Sequence, residues 1–361
     1  MLLNKCEYGT SSVDWLMSML ERVDTPKTLY HLPLSNGFVP DYVEEVKSFI
    51  RKDAKRYSRD IDGIILDCTG EAPEVARFQE LIDILINAGY SKNQILTIDS
   101  SVEFCNDFNN IIAPNWIASC HHFPNMQSFN SIQDRDTLFL VLARLPKSHR
   151  VNLIIKFLEY GLDKLSIMSC GSGDEHVHYK TIFDEIVPSH LRNRFPILIN
   201  NAIVDRHTGS QSVDDQFKRC LINVVIESCF ENEHYGANGP VGTHSWNRLF
   251  YTEKTDKCFY MGQLPIFLAK KGYVNILKNV YCFDMFDDII DHSYDDVIDP
   301  IARINAVANE CRRLSEVGLE NLIKHPNLET RFKYNKEQAL IVKNRLRADS
   351  EIIFNNWMKG L

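Results

Sequence analysis

The segment HSWNRLFYTEKTDKCFYMGQLPIF (244–267) sets an acid beside a base, Glu253 and Lys254, in the first turn of a helix that Thr252 is placed to cap. Backbone N–H groups at a helix start have no partner inside the helix and favour an anion, and the lysine adds a full positive charge. The neighbouring carboxylate can accept hydrogen bonds from a vicinal diol. One helix start would then hold both the ribose and the diphosphate of a nucleotide. The same spacing also describes a capped surface helix with an ordinary acid–base pair.

The elements that must position such a pair follow from the hydrophobic patterning. TLYHLPL (28–34), IDGIILD (61–67) and QILTID (94–99) read as strands, alternating with helices over 41–57 and 72–90. Residues 111–136 carry prolines and amides without a period and read as a linker. The alternation then resumes. Strands are expected at 136–143, 164–169, 195–200, 221–228 and 265–269, with helices at 148–161, 252–262, 272–279, 301–325 and 335–360. Ser148 is expected to cap the helix 148–161 and Gly161 to end it. Such alternation implies parallel sheets covered on both faces. The expected fold is α/β, with two doubly wound, Rossmann-like domains facing a cleft and a long C-terminal helix. The boundaries read as 1–125 for the first domain, 126–136 for the linker, 137–330 for the second domain and 331–361 for the helix. The 361 residues suit two domains of roughly 150 each.

Composition narrows the function. Forty basic against 48 acidic residues give a net charge of −8, which argues against a general nucleic-acid-coating role but leaves room for a local basic cleft. Ten cysteines without any C-x-x-C pair read as buried thiols of a reducing compartment. The start of the chain has too short an apolar run for a signal peptide, and no run of ~18 apolar residues suggests membrane insertion. The expected location is the cytoplasm, or a host cell's cytoplasm.

Four ordered blocks carry a family resemblance. They are 139–169, with an arginine at a strand exit and a helix opening on His149-Arg150; LINVVIES (221–228), with Glu227 at its end; TEK followed by G-x-x-P-I-F (252–267); and the aromatic–acidic block with its arginine helix, 283–304. Together they resemble the donor domain of the family 10 fucosyltransferases and their viral and bacterial relatives. The resemblance implies a metal-independent glycosyltransferase of GT-B type, with a nucleotide-sugar donor (a GDP- or UDP-sugar) as co-substrate and no tightly bound cofactor. By the same resemblance Glu253 holds the ribose, Lys254 the diphosphate, and Arg144 the leaving phosphate. Arg150 is a second phosphate candidate or a solvated helix residue. Tyr251 and Phe250 flank the base, Phe250 being also a core candidate, and Glu227 falls among the donor-side residues. The N-terminal third shows no such match.

An inverting transfer needs a carboxylate to take the acceptor's proton. Asp67 and Glu71, after the strand IDGIILD, and Asp99, after QILTID, are the candidates; Asp67 and Glu71 also suit capping of the next helix. The acceptor is either a glycan or a hydroxymethylated base in phage DNA, which would have to be flipped into the cleft. Arg51, Lys52, Lys55 and Arg56 form the densest basic cluster for a DNA acceptor, or an ordinary solvated helix face. His121 and His122 in the linker are further acceptor-side candidates. No metal site is expected: His176 and His178 lack a third ligand, and the triplets Asp60–Asp62 and Asp134–Asp136 precede strands rather than follow them. The acidic run from Asp284 to Asp296 reads as a solvated surface. A non-catalytic nucleotide- or glycan-binding module, or a sugar-nucleotide epimerase, fits the same residues.

Overall fold

The structure is a computed structural model that describes residues 2–3, 28–33, 47, 61–68, 75–99, 109–112, 131–143, 146–172, 177–199, 214–227, 230 and 252–361. Its elements in chain order are β1 (Leu2–Leu3), β2 (Leu29–Pro33), β3 (Gly63–Cys68), α1 (Val75–Asn87), β4 (Ile95–Asp99), β5 (Asn109–Ile112), β6 (Thr137–Ala143), α2 (Ser148–Glu159) and β7 (Ser166–Cys170). They continue with α3 (Val177–Ile186), α4 (Asp214–Arg219), β8 (Cys220–Ile226), α5 (Glu253–Tyr260), β9 (Leu264–Leu268), α6 (Tyr273–Asn279), α7 (Pro300–Val317), α8 (Leu319–Ile323) and α9 (Leu328–Gly360). They form two units. One holds β1 to β5, α1 and the end of α9 from Lys343 to Leu361; the other holds β6 to β9, α2 to α8 and α9 up to Val342.

The first unit is built on a five-stranded parallel sheet whose strands lie in chain order. That departs from the doubly wound pattern, in which the strand order reverses partway across the sheet. Register places Leu29, Ile65, Leu96, Ile98 and Ile111 on one face, and Phe354, Trp357 and Met358 from the end of α9 cover it. Tyr30, Leu32, Ile64, Leu66 and Ile95 point to the opposite face and are buried too. Burial on both faces is why these strands read as unbroken apolar runs. β5 lies where the sequence pattern breaks off, because NNII has two polar residues of low strand propensity. Burial of Ile111 and a 2.9 Å bond from Thr97 Oγ1 to Asn110 Oδ1 accommodate them.

The second unit is built on a four-stranded parallel sheet in the order β7-β6-β8-β9. The chain leaves β6 for β7 on one side and returns through β8 and β9 on the other, so the order reverses between β6 and β8. In parallel sheets the connections leaving the carboxyl ends of two such strands run to opposite sides and leave a crevice where ligands bind. α2 is buried along most of its length and packs against α7. Ser148 is the first residue of α2 rather than its cap; Lys147 holds the N-cap position, where an ammonium cannot accept from the helix N–H groups. The strand expected at 195–200 is reduced to isolated bridges at Ile197 and Ile199, the first of them antiparallel with Cys170. The helix expected across 301–325 is divided at Gly318 into α7 and α8, and α9 starts at Leu328, earlier than its periodicity indicates. Among the described residues, no helix is long and apolar enough to cross a membrane.

Candidate functional site

All seven residues of β8 are buried, and Glu227 follows its last residue, Ile226, at the order reversal. The Glu227 N–H donates to Leu268 O at 3.0 Å, extending the pairing with β9 by one residue. Its side chain has no exposed surface. A carboxylate in that position needs donors around it to offset its lost hydration. Thr255 Oγ1 donates to Oε1 at 2.6 Å and Tyr273 OH donates to the same oxygen at 3.1 Å. The two hydroxyls are also 2.8 Å apart, so two protons serve three contacts. The Lys254 ammonium lies 3.8 Å from Oε2, with 24% of its side chain exposed.

Local sequence explains how these groups meet. Lys254 and Thr255 occupy the first turn of α5, which starts at Glu253 as its spacing predicts, and Thr252 just before it is buried. Tyr273 opens α6 because Gly272 takes the left-handed conformation (φ 83°) at the N-cap, which only glycine adopts without strain. From the other side of β8, His149 in the first turn of α2 bonds the Glu227 carbonyl through Nε2 at 3.1 Å. Its ring stacks on Phe230 at 5.1 Å, and the Arg303 guanidinium lies 5.3 Å over the other partner of that stack, the Phe230 ring. Arg150 follows His149 and is 6% exposed, and Lys147 before them is buried. The Arg150 charge is felt by Cys170 at the end of β7, where burial nevertheless pushes the thiol up to about 12. The first turns of α2 and α5 therefore converge on Glu227, bringing Lys147, Arg150 and Lys254 to the carboxyl end of the sheet.

The donor-side residues of the sequence reading thus divide. Glu227 and Lys254 face each other, Arg150 follows His149 in the first turn of α2, and Glu253 supplies the first helical backbone position of α5. Glu227 lies beneath the surface, facing Lys254 rather than solvent. Arg144 and Tyr251 lie outside the described residues, as do Glu71, Arg51, Lys52, Lys55, Arg56, His121 and His122. Asp99 ends β4, and only its backbone is described. Asp67 is fully buried in the first unit, with its Oδ2 2.9 Å from His31 Nε2. Register pairs Pro33 with Asp67 and His31 with Ile65, so the histidine and the carboxylate share one face. His31, Thr255 and Tyr273 were not singled out from sequence, and His149 entered only as the opening of a helix.

The acidic run proves to be more than a solvated surface. Asp284 and Asp288 bracket Arg331 with bonds of 2.6 to 2.9 Å, and Asp287 pairs with Lys278 at 2.7 Å. Arg303, 1% exposed, donates to the carbonyls of Ala269, Val297 and Ile298. His292 Nε2 donates to Met285 O at 2.6 Å, and Nδ1 accepts from Tyr294 OH at 2.8 Å. That arrangement holds a neutral imidazole, and burial keeps its pKa below the usual 6.5. The unfolded chain therefore binds a proton that the folded chain resists as pH falls through 6.5. Thermal denaturation between pH 7.5 and 5.0 should show wild type losing stability more steeply than His292→Gln. Parallel curves would contradict it.

Among the described residues, no group of three or more His, Cys, Asp or Glu side chains is arranged to hold a metal ion. Asp62 accepts from Thr28 N at 2.7 Å and Asp136 pairs with Arg219 at 3.0 Å, so both serve as turn and surface partners. No protein-family model, curated protein or solved structure matches the chain.

Proposed function

We propose that the protein is a metal-independent glycosyltransferase, transferring a sugar with inversion from a GDP- or UDP-sugar to an acceptor hydroxyl, on a GT-B-like plan of two facing α/β domains. The observation that carries this reading is the convergence of two helix starts and Lys254 on the carboxyl end of β8, at the point of order reversal. Breaking the bond between the anomeric carbon and its phosphate oxygen builds negative charge on the departing diphosphate. Preorganised cations and backbone N–H groups stabilise that charge without reorganising as it develops. Lys254 and Arg150 are the side chains suited to this task, and Glu253 at the start of α5 suits the ribose diol. The resemblance of 136–310 to the fucosyltransferase donor domain supports the same assignment. The acceptor is a glycan or a hydroxymethylated DNA base.

A thermal-shift screen against GDP, UDP, ADP, CMP and their common sugar conjugates tests the donor site. A ligand at 100 times its dissociation constant should stabilise the fold by ~2.7 kcal/mol. Lys254→Ala should weaken the responding nucleotide by about 10- to 100-fold, the usual worth of a hydrogen bond to a charged group. Release or transfer of the sugar then completes the case. Binding with neither transfer nor hydrolysis would favour the non-catalytic module, and no response from any nucleotide would overturn the reading.

A further inference from the structure

Glu227 sits beneath the cation assigned to the diphosphate, and its geometry lets it oppose the ligand without touching it. The carboxylate is fully buried and held on Oε1 by Thr255 and Tyr273, so it cannot turn away. Oε2 faces the Lys254 ammonium at 3.8 Å, an ion-pair separation rather than a charge-assisted hydrogen bond. A phosphate oxygen bonded to that ammonium at ~2.8 Å would lie within roughly 7 Å of Oε2. That separation is shorter than the screening length of about 8 Å at physiological salt, and the carboxylate is out of water. The two anions therefore compete for one ammonium, and the fixed one cannot leave.

We propose that Glu227 is an internal counter-ion to Lys254 that limits how tightly the site retains a nucleoside diphosphate. The proposal rests on the nucleotide reading of the site. It gives the buried carboxylate a purpose in turnover. The diphosphate product carries one more negative charge than the nucleotide-sugar it came from. A fixed negative charge beneath the site therefore weakens product more than donor, and speeds its release. Thr255 and Tyr273 are positioning residues, holding the carboxylate at a set distance from the lysine.

The sign of one substitution decides the matter, because a carboxylate that merely braced Lys254 or the fold would give the opposite result. The full-length chain is titrated by calorimetry at 0.15 M salt with GDP and UDP, the matching monophosphates and the parent nucleosides. Glu227→Gln keeps the shape and the acceptor oxygen while removing the charge, and should tighten the diphosphate that binds by about tenfold. The monophosphate should gain less and the nucleoside nothing. Thr255→Val and Tyr273→Phe leave the charge in place, so neither should tighten binding as much as Glu227→Gln. Should Glu227→Gln fail to fold, the paired replacement of Lys254→Met with Glu227→Gln is compared with Lys254→Met alone, and the pair should bind the diphosphate more tightly. Unchanged or weakened diphosphate binding in a folded Glu227→Gln protein overturns the counter-ion role while leaving the nucleotide site standing. Failure of wild type to bind GDP or UDP overturns both.

Discussion

Replacing Arg135 with methionine should lower the unfolding free energy by about 2–6 kcal/mol, the cost of leaving two buried carbonyls without their donors. Arg135 lies just before β6 and is 3% exposed. One arm of its guanidinium donates to the carbonyls of Cys220 and Phe217, and the other to Met261 O at 3.0 Å and Gly262 O at 2.6 Å. These carbonyls lie at the ends of α4 and α5, where backbone acceptors lack intrahelical partners and a cation is favoured. Burial pulls the guanidinium down to about 10, so it stays charged at neutral pH. Gln263 Nε2 also donates to Phe217 O and Cys220 O, so those two carbonyls keep a partner when the arginine is removed. The carbonyls of Met261 and Gly262 lose the donors that Arg135 supplied, at about 1–3 kcal/mol each. Urea denaturation followed by far-ultraviolet circular dichroism should show a lower midpoint with an unchanged slope. Arg135→Lys should fall between, because an ammonium cannot fork to acceptors on two elements. A midpoint within error of wild type would contradict this account.

In the first unit, Trp357→Ala should cost about 3–5 kcal/mol, in the range of large-to-small aromatic replacements in cores. Trp357 is 3% exposed and packs with Phe354 and Met358 over Leu29, Ile65, Leu96 and Ile98. Its Nε1 donates to Asn93 O at 2.8 Å, which pins the ring in place. Under the ring lies Gly63, the first residue of β3. A Cβ there would stand 2.6 Å from the Trp357 ring and 2.8 Å from Leu361 Cδ1. Glycine is required for that close approach rather than for its backbone freedom. Gly63→Ala should therefore destabilise by about 1–3 kcal/mol through overpacking. Combining it with Trp357→Leu should cost less than the sum of the two single changes, because the smaller side chain clears the clash. Strict additivity would show that the ring and the glycine do not compete for the same space.

These two sites show where local sequence is informative and where it stops. Strands buried on both faces announce themselves as apolar runs, so CLINVVI and LPIFL were legible as β8 and β9, and TEK was legible as a helix start. Each of those signals lies within one element and repeats with its period. Arg135 was not legible, because it reads as one charge among the aspartates of a polar turn. Its acceptors lie 82 to 127 residues away. Gly63 was not legible either, since its reason is an indole 294 residues further along the chain.

The candidate site divides along the same line. Sequence by itself determined that an acid and a lysine open a helix, that an apolar strand ends on a glutamate, and that a second helix opens on His149 and Arg150. It did not determine that Thr255 and Tyr273, 28 and 46 residues from Glu227, would both donate to that carboxylate. Nor did it determine that Asp67, read as a carboxylate at an open strand end, would lie buried against His31. Such pairings depend on strand register and on which helix covers which face. Those are set by the burial of whole sheets, to which a single polar residue contributes little. Once a sheet has set the register, the buried polar groups must find partners across elements, and only tertiary structure decides which partners those are.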